Sequence, residues 1–183
     1  MNMAKLKPYL MQAKIWQIVL FGLPVVAMIL MLLLENSGGS VKLANASYRP
    51  EMIQGRCQPD QLLGKAGASY GESTENGIHY NVRTPLNYDP SFAHPFLLVL
   101  SPAGSNRAKT ENTTGLTLPA TSKGFIVAYA DHPELSPTTT VELGTIPRLV
   151  AQKWCIDKSQ IFVTGHSDGG TSAMALAFMQ GTR

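Results

Sequence analysis

The sequence predicts an α/β domain in which helices flank a mostly parallel β-sheet. Three short apolar runs, at residues 96–100, 125–130 and 161–164, have the composition of strands that are buried on both faces. The stretches between them, 101–124 and 131–160, are long enough for the helical crossovers that parallel strands require. The alternation of apolar runs and crossovers therefore indicates the fold class before any single residue is considered.

A fourth strand and two helices complete the predicted domain. Residues 78–83 alternate between apolar and polar side chains, as a half-buried strand does. Residues 141–154 contain a helical stretch, with Thr145 as its N-cap and Pro147 in its first turn. After Gly170, the sequence TSAMALAFMQ is a strong helix former. The side chains predicted to form the buried stripe of this last helix are Met174, Ala175, Phe178 and Met179.

The N-terminal residues predict a membrane-spanning segment. Residues 15–34 carry no charge, and as a helix they would span the roughly 30 Å of a bilayer's hydrocarbon core. Lys5, Lys7 and Lys14 precede this segment, so the positive-inside rule places the N-terminus in the cytoplasm and the remainder on the periplasmic or extracellular side. The alternative is a signal peptide cleaved near Ala46, which would release a secreted protein. Both alternatives predict export.

Composition divides the chain into a signal-anchor (1–35), a linker and irregular region rich in Gly, Ser and Asn (36–77), and the α/β domain (78–183). The net charge of +3 comes mostly from the lysines before the apolar segment, and no basic stripe indicates a nucleic-acid partner. Cys57 and Cys155 are both in the exported part, where they either form a disulfide or remain free. Their spacing fits no zinc site, and no cofactor is predicted.

The sequence GHSDGG, between a predicted strand and a predicted helix, has the pattern of a nucleophile elbow. Ser167 would occupy a sharp, strained turn that projects its hydroxyl above the sheet. Gly165 and Gly169 remove side chains that would clash in this turn, and Gly170 lets the helix pack close to the sheet. The N–H of Asp168, at the helix N-terminus, is a candidate donor to an oxyanion. The alternative is a glycine-rich turn without chemistry.

The segment TGHSDGGTSA, preceded by WCIDKSQIFV, resembles the polyhydroxybutyrate depolymerase and feruloyl esterase group of α/β hydrolases. Residues 82–90, 96–104 and 123–130 are similar to three further segments of that group, so the resemblance covers about 78–183. It implies an α/β-hydrolase fold and a serine carboxylic ester hydrolase that acts on a polyester or on an aryl or short-chain ester. In that reaction Ser167 would attack the ester carbonyl and form an acyl-enzyme intermediate.

The sequence departs from this group at the loop after the strand at 96–100. The group usually has His-Gly there, whereas this chain has Ser101 and Pro102. Because Pro102 has no N–H, the next residue, Ala103, becomes the candidate for the second backbone donor to the oxyanion.

A second departure concerns the catalytic triad, which this superfamily orders as Ser, then Asp or Glu, then His. No His, Asp or Glu follows Asp168, so the expectation is a truncated hydrolase fold that lacks the triad acid and base. The four histidines precede Ser167 and are expected to be structural; they are His79, His94, His132 and His166. The alternatives are a catalytically inactive fragment, or a peptidase or acyltransferase on the same fold.

Overall fold

The computed structural model describes residues 41–47, 57 and 62–180, together with Leu23, Val25, Val26 and Ile29. The sheet contains β1 (Ala68–Ser73), β2 (His79–Arg83), β3 (His94–Leu100), β4 (Ile126–Ala130) and β5 (Ile156–Gly165). The helices are α1 (Arg107–Thr114), α2 (Thr117–Ser122), α3 (Pro137–Leu143), α4 (Ile146–Ala151) and α5 (Asp168–Gln180).

The five strands form one mixed sheet in the order β1-β2-β4-β3-β5. Strands β4, β3 and β5 are parallel, as their apolar sequences predict, whereas β2 pairs antiparallel with β4 and with β1. The sheet is therefore less parallel than the sequence indicated. The parallel strands place residues 101, 131 and 166 at the same carboxyl edge of the sheet, where ligands bind in open α/β sheets.

Strand β1 lies within the region 36–77 that the sequence predicted as irregular. Its polar and small residues give no apolar alternation, and Gly71 has a φ of 80°. The register against β2 shifts between Ser69 and Glu72, which marks a bulge in this edge strand. Pairing with β2, rather than local propensity, thus accounts for the strand.

Apolar side chains cover both faces of the sheet. On one face, alternate residues of β3 and β4 pack against α3, α4 and α5, with Phe96, Leu98 and Ile126 fully buried. On the other face, Val99, Val127 and Tyr129 pack beneath α2. Strands that are buried on both faces explain why their sequences are continuously apolar rather than alternating.

The helical stretch predicted at 141–154 is divided between two short helices. Helix α3 ends at Leu143, Gly144 follows, and α4 begins after Thr145 with Pro147 in its first turn. Thr145 occupies the N-cap position, but its side chain donates to the carbonyl of Glu142 rather than capping α4. Trp154 follows α4 and is 2% exposed, with its indole N–H donating to the carbonyl of Lys65.

The buried stripe predicted for α5 is wrong. Met174 and Phe178 are each 77% exposed, whereas Ser172 and Leu176 face the core. At the start of α5, Gly169 lies against the backbone at the end of β3. This contact fixes which face of α5 is turned toward the sheet. Ser172 and Leu176 therefore face the sheet, whereas Met174 and Phe178 face away from it.

Cys57 and Cys155 form a disulfide. The sequence had left open whether these two cysteines are bonded or free. Their Cα atoms are 5.7 Å apart, and Cys155 is fully buried immediately before β5. The bond joins residues that are 98 positions apart, and it fixes Cys57 to the domain.

Among the residues that the structure describes, no helix is long and apolar enough to cross a bilayer. The predicted membrane segment, 15–34, lies outside the described residues except for Leu23, Val25, Val26 and Ile29.

Glu142 is a buried carboxylate that joins α3 to the β1–β2 turn. It accepts hydrogen bonds from the Thr74 hydroxyl, from the Asn76 backbone N–H at 3.0 Å and from the Asn76 side-chain amide at 3.1 Å. Burial opposes ionisation, but these donors outweigh it and hold the pKa of Glu142 below its ordinary value of 4.5.

A lowered pKa makes the stability of the protein dependent on pH at this position. The stabilisation is complete above the unfolded pKa and is lost as the pH falls through the lower folded pKa. We expect Glu142→Gln to cost about 1 kcal/mol at neutral pH and to flatten the decline in unfolding free energy between about pH 5 and pH 3. Urea unfolding across this range measures the effect. Glu75→Gln is the control, because Glu75 is an exposed glutamate in the β1–β2 turn. If the unfolding free energy depended on pH in the same way in both variants, the expectation would be contradicted.

Candidate active site

Ser167 occupies the sharp turn between β5 and α5, and its backbone is strained as the motif predicts. Its φ is 52°, and it is the one non-glycine residue with positive φ in the described part of the chain. The turn is closed by a 3.0 Å hydrogen bond from the Gly169 N–H to the His166 carbonyl. Ser167 is exposed. A serine held in an unfavourable backbone conformation at a sheet edge is typical of a functional site.

The glycines around Ser167 are required by close backbone contacts. A Cβ atom added to Gly165 would lie 2.3 Å from the carbonyl carbon and oxygen of Gly169. A Cβ added to Gly170 would lie 3.3 Å from the oxygen of Gly165, a much milder contact. The turn is therefore closed most tightly between Gly165 and Gly169, and the contact at Gly170 is the mildest of the three.

Gly169 also brings the elbow against the end of β3. A Cβ on Gly169 would lie 2.3 Å from the Leu100 oxygen and 2.9 Å from the Ser101 oxygen. The sequence predicts the second oxyanion donor in the loop that begins at Ser101. The fold thus brings this loop and the Ser167 turn into direct contact.

Residues 102–105, which we call the oxyanion turn, form a type II β-turn. The Ser105 N–H donates to the Pro102 carbonyl at 3.1 Å, and Gly104 has a φ of 70°, as the third position of this turn requires. The turn does not use the N–H groups of Ala103 and Gly104. The Asp168 N–H is the first of α5, so no preceding turn of helix accepts its hydrogen. Backbone donors on both sides of the contact are therefore available to an anion.

The histidines lie in different parts of the fold. His94 begins β3, so it is separated from the carboxyl edge by roughly 20 Å of strand, and burial lowers its pKa. His132 follows β4, and its Nε2 lies 4.0 Å from a carboxylate oxygen of Asp168. His79 and His166 are exposed. No side chain of the described residues hydrogen-bonds to the Ser167 hydroxyl.

Sequence reasoning missed several polar residues at this edge. Asp131, directly after β4, accepts from the Arg107 N–H at 2.7 Å and from its guanidinium at 2.5 Å, which fixes the start of α1. The position of Asp131 after an apolar run was the available signal, because carboxyl ends of parallel strands meet at one edge. No sequence pattern indicated that Arg107 would be the partner of Asp131.

Two cavities lie away from Ser167. A cavity of about 480 Å³ is bordered by α3, α4 and the β1–β2 turn, and another of about 370 Å³ lies beside α4. Neither is lined by the Ser167 turn or by the oxyanion turn. Within the described ranges, no three His, Cys, Asp or Glu side chains are grouped to hold a metal ion.

A strained serine between β5 and α5, set against the loop after β3 of a mixed sheet with helices on both faces, defines an α/β-hydrolase fold. No protein-family model and no curated protein matches the sequence. Solved structures do match. The monoclinic form of an esterase from Pyrobaculum calidifontis has 20% identity over 68% of this chain and 43% of its own, with a TM-score of 0.51. A hyperthermophilic esterase from the same archaeon has 20% identity over 68% and 43%, with a TM-score of 0.50.

A ferulic acid esterase from the anaerobic fungus Anaeromyces mucronatus has 18% identity over 76% of this chain and 63% of its own, with a TM-score of 0.48. The two archaeal structures, with TM-scores of 0.51 and 0.50, show that the chain has the α/β-hydrolase fold. The chain spans less than half the length of the archaeal esterases that it matches.

Proposed function

We propose that this protein is a serine carboxylic ester hydrolase and that Ser167 is its nucleophile. The single observation that carries the proposal is the φ of 52° at Ser167, in a turn closed by Gly165 and Gly169. A backbone strained in this way costs free energy, and such strain persists where function requires it. The fold of the matched esterases is consistent with this chemistry.

The proposed reaction forms an ester between the substrate acyl group and Ser167. The serine oxygen attacks the carbonyl carbon, and the carbonyl oxygen becomes an oxyanion that accepts from the N–H groups of Asp168 and Ala103. The hydroxyl proton passes to a base, and the alcohol leaves. Water then releases the acid. Because the described residues place no base on the Ser167 hydroxyl, an experiment on this chain must supply one from the buffer.

The proposed substrate is a polyester or an aryl or short-chain ester, as in the depolymerase and feruloyl esterase group. The support is the resemblance of 154–173 to that group. A peptide bond is a less suitable substrate for a chain tested with an added base, since its amine leaving group also needs a proton.

Acylation of Ser167 by p-nitrophenyl butyrate tests the proposal. Imidazole added to the buffer serves as the base, and peptide mass spectrometry locates the butyryl group. We expect the peptide that contains Ser167 to be acylated, at a rate that rises with imidazole concentration, because a serine hydroxyl is a poor nucleophile without a base.

Two variants complete this test. Ser167→Ala should reduce acylation to the rate of buffer alone, whereas Ser73→Ala, which removes an exposed hydroxyl in β1, should leave it unchanged. Acylation that is equally fast in Ser167→Ala would refute the proposed nucleophile.

We also propose that the protein is exported and remains anchored through residues 15–34. The Cys57–Cys155 disulfide supports export, because such bonds persist in oxidising compartments.

Hydrogen bonds of the segment 41–47 favour anchoring over cleavage near Ala46. The side chain of Asn87 bonds both the N–H and the carbonyl of Ala46, at 2.6 and 3.1 Å. Cleavage there would remove these contacts. Sequencing the N-terminus of the protein from membranes tests this, and a start at residue 47 would refute the anchor.

A further inference from the structure

The oxyanion turn is enclosed by a chain of hydroxyl groups. The Ser101 hydroxyl, immediately before the turn, donates to the carbonyl of Ala130 at 2.6 Å. The Thr110 hydroxyl, on α1, donates to the hydroxyl oxygen of Ser101 at 2.7 Å. The Ser105 hydroxyl, at the end of the turn, lies 3.3 Å from the Thr110 oxygen. We call these three hydroxyls the hydroxyl relay.

The direction of the relay follows from the number of hydrogens. Each hydroxyl has one hydrogen to donate. Thr110 gives its hydrogen to Ser101, and Ser101 gives its own to the Ala130 carbonyl, which can only accept. Ser105 is therefore the donor to Thr110. Each of the three hydroxyl hydrogens is thus donated once. Both ends of the turn are bonded to α1 and, through Ser101, to the end of β4.

Burial makes the relay rigid. Ser101 is 1% exposed and Thr110 is 4% exposed, so water does not reach either hydroxyl. A hydroxyl that lost its partner in this relay would therefore be left without a hydrogen bond, which costs free energy. Between them, Ala103 and Gly104 are exposed, and the turn itself contains one backbone hydrogen bond. The exposed donors thus depend on buried side chains for a fixed position.

We propose that the hydroxyl relay of Ser101, Ser105 and Thr110 positions the Ala103 N–H for the oxyanion. The inference rests on the proposed esterase function, and it makes these three residues positioning residues that do not touch the substrate. Oxyanion donors act because they are fixed before the reaction begins, so a turn that loses its fixed position loses transition-state stabilisation.

The experiment measures the rate at which an uncharged p-nitrophenyl phosphonate labels Ser167, in imidazole buffer, for the full chain and its variants. In this reaction the phosphoryl oxygen occupies the oxyanion position. Thr110→Val keeps the shape of the side chain and removes its hydroxyl. We expect it to slow labelling about tenfold or more, which is less than the 10²–10³-fold loss of a whole donor. Thr110→Ser keeps a hydroxyl and should restore most of the rate.

Thr140→Val is the matched control, because Thr140 is also a buried helical threonine whose hydroxyl donates to a carbonyl, that of Ser136 at 2.9 Å. It should lower the thermal midpoint by a similar amount and leave the labelling rate unchanged. Hydrogen exchange of the Ser105 amide, which closes the turn, should quicken in Thr110→Val and not in Thr140→Val.

Each outcome has one meaning. Slower labelling together with faster Ser105 exchange, both specific to Thr110→Val, supports the inference. Equal labelling rates in Thr110→Val and Thr140→Val would overturn it while leaving the esterase proposal intact. A wild-type protein that is not labelled at Ser167 would overturn the esterase proposal and this inference with it.

Discussion

Gly169→Ala should destabilise the domain by about 3 kcal/mol and abolish acylation of Ser167. The added Cβ would lie 2.3 Å from the Leu100 oxygen and 2.8 Å from the Leu100 carbon, both backbone atoms of β3, which lies between β4 and β5 in the sheet. Backbone atoms in a paired strand cannot turn aside as a side chain can, so α5 must move away from the sheet. That movement separates the Asp168 N–H from the oxyanion turn. Urea unfolding and the butyrate acylation assay measure the two effects.

Gly170→Ala is the control for this substitution, since it adds the same methyl group one residue later in the same helix. Its nearest contact is 3.3 Å, and alanine is the better helix former by about 1 kcal/mol. We expect its unfolding free energy to change by less than about 1 kcal/mol and acylation to continue. If the two alanine variants were equally stable and equally active, the close contact between Gly169 and β3 would not constrain the site.

Arg83→Met should lower the free energy of unfolding by about 3–5 kcal/mol. Arg83 and Glu111 form a bidentate ion pair between β2 and α1, with nitrogen–oxygen distances of 2.6 and 2.7 Å, and their side chains are 1% and 5% exposed. Removing the guanidinium leaves a buried, unpaired carboxylate. It also removes a donor to the Ser69 carbonyl and a cation–π contact 4.4 Å from the Tyr70 ring centre. Chemical denaturation measures the loss.

Combining Arg83→Met with Glu111→Leu separates the cost of the unpaired charge from the value of the pair. Replacement of both partners by apolar residues removes the buried charge, so the double variant should be more stable than Arg83→Met alone. A double variant that is less stable than either single variant would show that the ion pair itself, rather than the orphaned carboxylate, carries the effect.

The sequence was sufficient for the parts of the fold that depend on local composition. The apolar runs predict β3 and β4, because strands buried on both faces have few other compositions. The run at 161–164 also forms the end of β5, but this strand lies at the sheet edge and Phe162 is 49% exposed. The elbow was recognisable because one of its close contacts, between Gly165 and Gly169, joins residues that are near Ser167 in the sequence. Because Pro102 has no N–H, chemistry alone indicates Ala103 as the candidate oxyanion donor, and that role stays a prediction.

Other features depend on tertiary contacts that no local pattern contains. Strand β1 is formed by pairing with β2, and the face of α5 that is buried is selected by the contact of Gly169 with β3. Polar residues in α1 show no sequence periodicity that singles them out, yet the fold places Thr110 against Ser101 and Glu111 against Arg83. The tertiary fold brings such partners together, so no local sequence pattern identifies them.

The central claim is that Ser167 is a nucleophile whose oxyanion is bound by two backbone N–H groups. A crystal structure of the protein after reaction with p-nitrophenyl phosphonate in imidazole buffer tests it most directly. We expect phosphorus bonded to the Ser167 oxygen, with the phosphoryl oxygen about 2.7–3.1 Å from the nitrogens of both Asp168 and Ala103. A phosphonate attached to another residue, or a phosphoryl oxygen that faces solvent away from both nitrogens, would contradict it.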